Sequence, residues 1–65
     1  MENHIAALRK QRRLSQEELA QAVGVSRQTI TSLEVGKYTA SLPLAFKLAR
    51  YFGWSIEDLF LFEEE

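Results

Sequence analysis

The sequence predicts an all-α fold of five short helices in a single domain spanning residues 1–65. Three observations predict it. Apolar residues recur three and four positions apart along almost the whole chain, while strict alternation is confined to its very end. Ser15, Ser26, Ser41 and Ser55 each stand just before such a stretch, where a hydroxyl can accept from the free N–H groups of a first helical turn. Gly24, Gly36 and Gly53 each stand just after one, and glycine enters the left-handed cap conformation at least cost.

Helix one is expected over Asn3–Arg13, with Ile5 and Leu8 on one face and a C-terminal run of Arg9, Lys10, Arg12 and Arg13 that suits the negative end of a helix dipole. Ser15-Gln16-Glu17-Glu18 is a capping box, so helix two is expected over Gln16–Val23, with Leu19, Ala20 and Val23 inward. Ser26 caps helix three, Arg27–Glu34, with Ile30 and Leu33 inward. Lys37–Ala40 reads as a loop. Ser41 caps helix four, whose first turn carries Pro43, a position where a missing N–H does no harm. Leu44, Ala45, Leu48, Ala49 and Phe52 form its apolar stripe. Ser55 caps a short helix five, with Asp58 at the capping-box position and Ile56, Leu59 and Phe60 inward. Phe60-Leu61-Phe62 can extend as a short C-terminal strand.

The chain has 65 residues and no cysteine, which excludes disulfides and thiolate zinc sites. Its single histidine cannot build a metal site alone. No apolar run approaches the roughly 20 residues of a membrane span, and no signal peptide opens the chain, so a soluble cytoplasmic domain is expected. A domain this small buries only about 60% of its extended surface, which makes oligomerisation the expected source of extra stability. No nucleophile–base pair, metal constellation or phosphate loop is present, so an enzyme is not expected. No cofactor or small-molecule ligand is implied.

Charge is unevenly placed although the net value is −1. Residues 1–50 carry eight bases and four acids, a net +4, and residues 51–65 carry five acids and no base. A basic body set away from an acidic end suits a polyanion-binding face, and two ordinary solvated faces explain it equally well.

Ala20, Gly24, Ile30 and Leu33 fall at i, i+4, i+10 and i+13. This is the helix-turn-helix pattern: a small residue where two helices cross, a positive-φ residue in the turn, and two anchors that leave the other face of the second helix outward. That helix begins Arg27-Gln28-Thr29, and Arg and Gln are the side chains that pair bidentately with guanine and adenine in a major groove.

Leu14–Ala20, Gly24–Ile30, Glu34, Gly36-Lys37 and Phe52–Phe60 together resemble the lambda repressor/Cro-like, or XRE, family of helix-turn-helix regulators. The resemblance covers about Ile5–Phe60 and implies a five-helix lambda-repressor-like fold, a homodimer, double-stranded DNA as partner, and repression at a near-palindromic operator. It implies base contacts from Arg27, Gln28, Thr29 and Ser32. It implies phosphate contacts at Ser15, Gln16, Ser26 and Lys37, and an Arg9–Glu34 salt bridge from helix one to the end of helix three. Two departures from the family pattern stand out. Val35 stands where an Asn is common, and Thr39-Ala40-Ser41 replaces Asn-Pro-Ser.

Residues 51–62 hold five of the seven aromatics, and Trp54, Phe60 and Phe62 are the expected dimer interface, although Trp54 could instead cover the core. His4 is expected to be exposed. Arg12 and Arg13 could meet phosphate or complement the helix dipole. The competing function is a protein-interaction module, such as an antitoxin or anti-repressor, whose helix-turn-helix chiefly supports a protein partner.

Overall fold

The computed structural model describes residues 2–37 and 39–60. It contains α1 (Ile5–Gln11), α2 (Gln16–Val23), α3 (Arg27–Glu34), α4 (Leu42–Phe52) and α5 (Ile56–Leu59), an all-α architecture. The four serine caps form as their sequence positions dictate: the hydroxyls of Ser15, Ser26, Ser41 and Ser55 accept from the backbone N–H groups of Glu18, Thr29, Leu44 and Asp58. At Ser15 the box closes in both directions. At Ser55 the hydroxyl bond forms, and no return bond from the Ser55 N–H to the Asp58 carboxylate accompanies it among the described residues.

The Ser15 backbone N–H donates to the Glu18 carboxylate at 2.8 Å, and the Ser15 hydroxyl assists. Both hold the Glu18 carboxyl below the ordinary glutamate value. A depressed folded-state value contributes stability that is present above the unfolded-state pKa and lost as pH falls through it and below. Thermal unfolding of the wild type should therefore soften on the acid side of about pH 5, and Glu18→Gln should flatten that limb. Identical acid limbs in the two proteins would remove the box from the pH dependence.

Helix α1 is shorter than the expected Asn3–Arg13, for a reason at each end. The Asn3 side-chain oxygen accepts from the N–H of Ile5, turning the chain before the helix, and Asn3 pairs with Phe60 in an isolated antiparallel bridge. At the other end Arg13 takes φ 57°, a left-handed residue that closes the turn with Arg13 N–H on Lys10 and Leu14 N–H on Arg9. Gly24 makes the same turn after α2 at φ 77°. A Cβ at Gly24 would meet no atom within 4 Å, so its backbone angle alone calls for glycine.

The core gathers Ile5, Leu8, Leu19, Ala20, Val23, Ile30, Leu33, Leu44, Ala45, Leu48, Ala49, Phe52, Leu59 and Phe60. Val25, Ala40 and Ile56 pack half-buried against it. Phe60 is thus a core residue and cannot present its ring to a partner as an interface residue would. The backbone bond from His4 N–H to Leu59 C=O and the Asn3–Phe60 bridge draw the end of α5 over the start of α1. His4, expected to be exposed, is half-buried beside Trp54, with ring centroids 5.7 Å apart. Of the strand expected at Phe60-Leu61-Phe62, Phe60 makes this bridge, and Leu61 and Phe62 lie outside the described residues.

Arg12 resolves in an unforeseen direction. Its guanidinium donates to the carbonyls of Tyr51 and Phe52, at 3.0 and 2.8 Å, and lies 5.0 Å from the Phe52 ring centroid. The cation therefore serves the negative end of α4 and joins it to the end of α1.

Candidate nucleic-acid interface

The outward face of α3 depends on how the helix is held from behind. Ile30 and Leu33 are fully buried, and Ala20 lets α2 approach closely. Arg9 reaches from α1 to Glu34 in the last turn of α3 in a two-pronged pair, Nε to Oε2 at 2.7 Å and Nη2 to Oε1 at 3.2 Å. Its remaining prong donates to the Leu14 carbonyl at 2.8 Å. The bridge that the family resemblance implied is present, and with the two side chains only 12% and 8% exposed it is largely buried. Asn3 adds a bond from its amide to the Leu33 carbonyl at 2.8 Å. Three points of attachment thus set the axial position of α3.

Helical geometry divides the outer surface of α3 into stripes. Gln28 and Ser32 stand one turn apart, with Val35 beyond them; Gln28 and Val35 are exposed and Ser32 is half-buried. A shallow cleft of about 220 Å³ is lined by Ser26, Gln28, Thr29 and Ser32. Arg27 is exposed on the neighbouring stripe, with Thr31 one turn on and Glu34 at its end. Arg27 and Gln28 therefore combine exposure with a long donor-bearing side chain at the start of the helix. Thr29 is different: its hydroxyl lies 3.0 Å from that of Ser26, so the two share a hydrogen bond within the cap. Thr29 is half-buried, and its hydroxyl is engaged in the cap.

The expected phosphate contacts fall on three surfaces. The Ser15 and Ser26 hydroxyls are engaged in capping, which leaves the first N–H groups of α2 and α3 as the donors near them. Gln16, at the start of α2, is half-buried, and its amide donates to Glu34 at 3.0 Å. Lys37 is exposed in the turn after α3, with its backbone N–H held by the Ser32 carbonyl. Ser15 and Gln16 thus stand at the start of α2, Ser26 at the start of α3, and Lys37 in the turn after α3.

At the other end of the chain Trp54 is 39% exposed, and Tyr51 is 37% exposed. Phe62 lies outside the described residues. Phe46 and Tyr51 lie off the core stripe of α4 in the sequence, where either could be interfacial, and both are exposed; the sequence reading missed Leu42, one turn before Phe46, at 64% and 51% exposure, and their i, i+4 spacing was the available signal. It also missed Thr31, whose hydroxyl lies 3.1 Å from the Gln16 amide oxygen.

An arrangement of this kind can do recognition rather than bond-making chemistry: a rigid helix presents a guanidinium and an amide, flanked by backbone donors and a lysine. No helix is long and apolar enough to cross a membrane among the described residues.

Comparison with known proteins agrees. A helix-turn-helix family model matches residues 5–59. An HTH-type transcriptional regulator of Methanocaldococcus jannaschii is 51% identical over 65 residues, covering 100% of this chain and 98% of that protein. The HTH-type transcriptional regulator YgzD of Bacillus subtilis is 45% identical over 65 residues, covering 100% and 98%. The cryptic phage CTXphi transcriptional repressor RstR of Vibrio cholerae is 38% identical over 55 residues, covering 85% of this chain and 50% of RstR.

Proposed function

The chain belongs to the XRE-type helix-turn-helix family of DNA-binding transcriptional regulators, which are not enzymes, and from that premise we propose that it is a repressor that reads a near-palindromic operator as a homodimer. The carrying observation is the exposed Arg27–Gln28 pair on a helix anchored by the Arg9–Glu34 bridge. An immobilised helix loses little freedom when its side chains meet base edges, so each bidentate contact is retained as discrimination. Arg27 and Gln28 read bases in the major groove. Ser32 adds a hydroxyl in the same groove, and Thr29 a methyl. Gln16, Lys37 and the amides beside Ser15 and Ser26 hold phosphates and set the register. Repression is supported by the name of RstR and by the simplest action of a bound dimer, which is to occupy a promoter. The protein acts where DNA is, in the cytoplasm.

Two observations support dimerisation, the size of the chain and the exposed aromatic surface at Trp54. The chain is small for a stable monomer, and Trp54 offers an exposed aromatic on a segment without bases. Phe62 belongs to the same baseless segment of the sequence. An isologous contact there places two recognition helices one duplex turn apart, about 34 Å.

Selection of bound duplexes from a random pool tests the whole reading. The expected product is two inverted half-sites separated by a fixed spacing. Recovery of no consensus would overturn sequence-specific binding, and a single half-site would overturn the dimer. Sedimentation of Trp54→Ala should show a weakened dimer. Undiminished dimerisation of that variant would move the interface, and the Leu42–Phe46 face of α4 would be the next surface to substitute.

A further inference from the structure

We infer that Thr31 is a positioning residue of the DNA interface, holding the Gln16 amide so that one N–H remains for a phosphate. This rests on the DNA-binding reading above and deepens it. Gln16 has two N–H donors and one carbonyl acceptor. Glu34 is a carboxylate and only accepts, so the amide nitrogen, not the oxygen, must face it; that bond measures 3.0 Å. The amide oxygen is thereby turned toward Thr31, whose hydroxyl donates to it at 3.1 Å. The same hydroxyl lies 3.1 Å from the Arg27 carbonyl, so its proton is shared between the turn of α3 and the side chain of α2. With nitrogen and oxygen both engaged, the amide plane is determined. One N–H is left without a partner among the described residues, at the first turn of α2.

Two consequences follow. Donation to the amide oxygen polarises the group and strengthens its remaining N–H as a donor. It also links the phosphate-holding end of α2 to the stripe of α3 that begins with Arg27, so that phosphate register and base reading share one hydrogen-bonded unit. Glu34, already paired with Arg9, fixes the orientation of the amide, and Thr31 fixes its position.

The test compares Thr31→Val, which keeps the shape and removes the hydroxyl, with Thr31→Ser, which keeps the hydroxyl. Thr31 is exposed, so neither change should alter thermal unfolding appreciably. Binding is measured on the selected duplex and on a scrambled duplex across a salt series. Thr31→Val should weaken both duplexes by about threefold to tenfold, the ratio expected for one hydrogen bond. Base preference should stay the same. The salt slope should also stay the same, because a neutral amide releases no counterion, whereas loss of a lysine contact lowers the slope by about one. Thr31→Ser should bind as the wild type does. In a Gln16→Ala background, Thr31→Val should add nothing.

Wild-type affinity in Thr31→Val, or full additivity with Gln16→Ala, would overturn the positioning role while leaving DNA binding intact. A wild type that binds neither duplex would overturn the DNA-binding reading itself, and this role with it.

Discussion

Glu34→Ala is expected to cost about 3 kcal/mol or more, because it strands the largely buried Arg9 guanidinium without its carboxylate. For a domain of this size about 4–8 °C accompanies each kcal/mol, so the melting temperature should fall by more than about 10 °C. The loss has three parts visible in the structure: both Arg9 bonds to Glu34, and the bond from Gln16. The pairwise share is isolated by a double-mutant cycle with Arg9→Met, read by thermal unfolding. A strong coupling energy is expected, since either single change leaves the other charge unpaired. Coupling near zero would mean that the bridge contributes nothing beyond its separate side chains. DNA binding should weaken along with stability, because the same bridge sets the axial position of α3.

Arg27→Ala is expected to leave the fold unchanged and to weaken binding to the selected operator by about 1–3 kcal/mol, with relaxed preference at one base pair of each half-site. Arg27 is exposed, and its side chain takes no part in the network behind the helix. Lys37→Ala provides the contrast. It should weaken selected and scrambled duplexes alike and lower the salt slope by about one. Equal losses on both duplexes for Arg27→Ala would reassign Arg27 from base to phosphate. The measurement is direct titration at several salt concentrations, since the two roles differ in slope and not only in affinity.

Most of the frame was decided within four residues of chain, and the sequence alone determined it. A serine hydroxyl and the N–H three residues on are neighbours in any helix start, so Ser15, Ser26, Ser41 and Ser55 mark their caps wherever the helices later pack. A left-handed turn is a property of one residue, so Gly24 and Gly53 mark where α2 and α4 stop. The bounds of α2, α3 and α4 followed from these signals. So did the apolar stripes and the placement of Arg27 and Gln28 outside. Even Arg9–Glu34, 25 residues apart, was legible, because it came with the family resemblance.

The tertiary structure decided what depends on where distant elements meet. Arg13 ends α1 in the left-handed region without being glycine, which no local rule announces. Arg12 could have served its own helix or a phosphate, and it went to the carbonyls of Tyr51 and Phe52 because the end of α4 arrives beside it. Phe60 looked equally fit for the core and for an interface. The pairing of Asn3 with Phe60 and of His4 with Leu59 drew it inside. The Gln16–Thr31 contact needs α2 and α3 at one particular crossing, so neither residue signals the other along the chain. Local hydrogen bonds have one nearby partner and can be read from spacing, whereas a long polar or aromatic side chain has several partners within reach and only the packed helices choose among them.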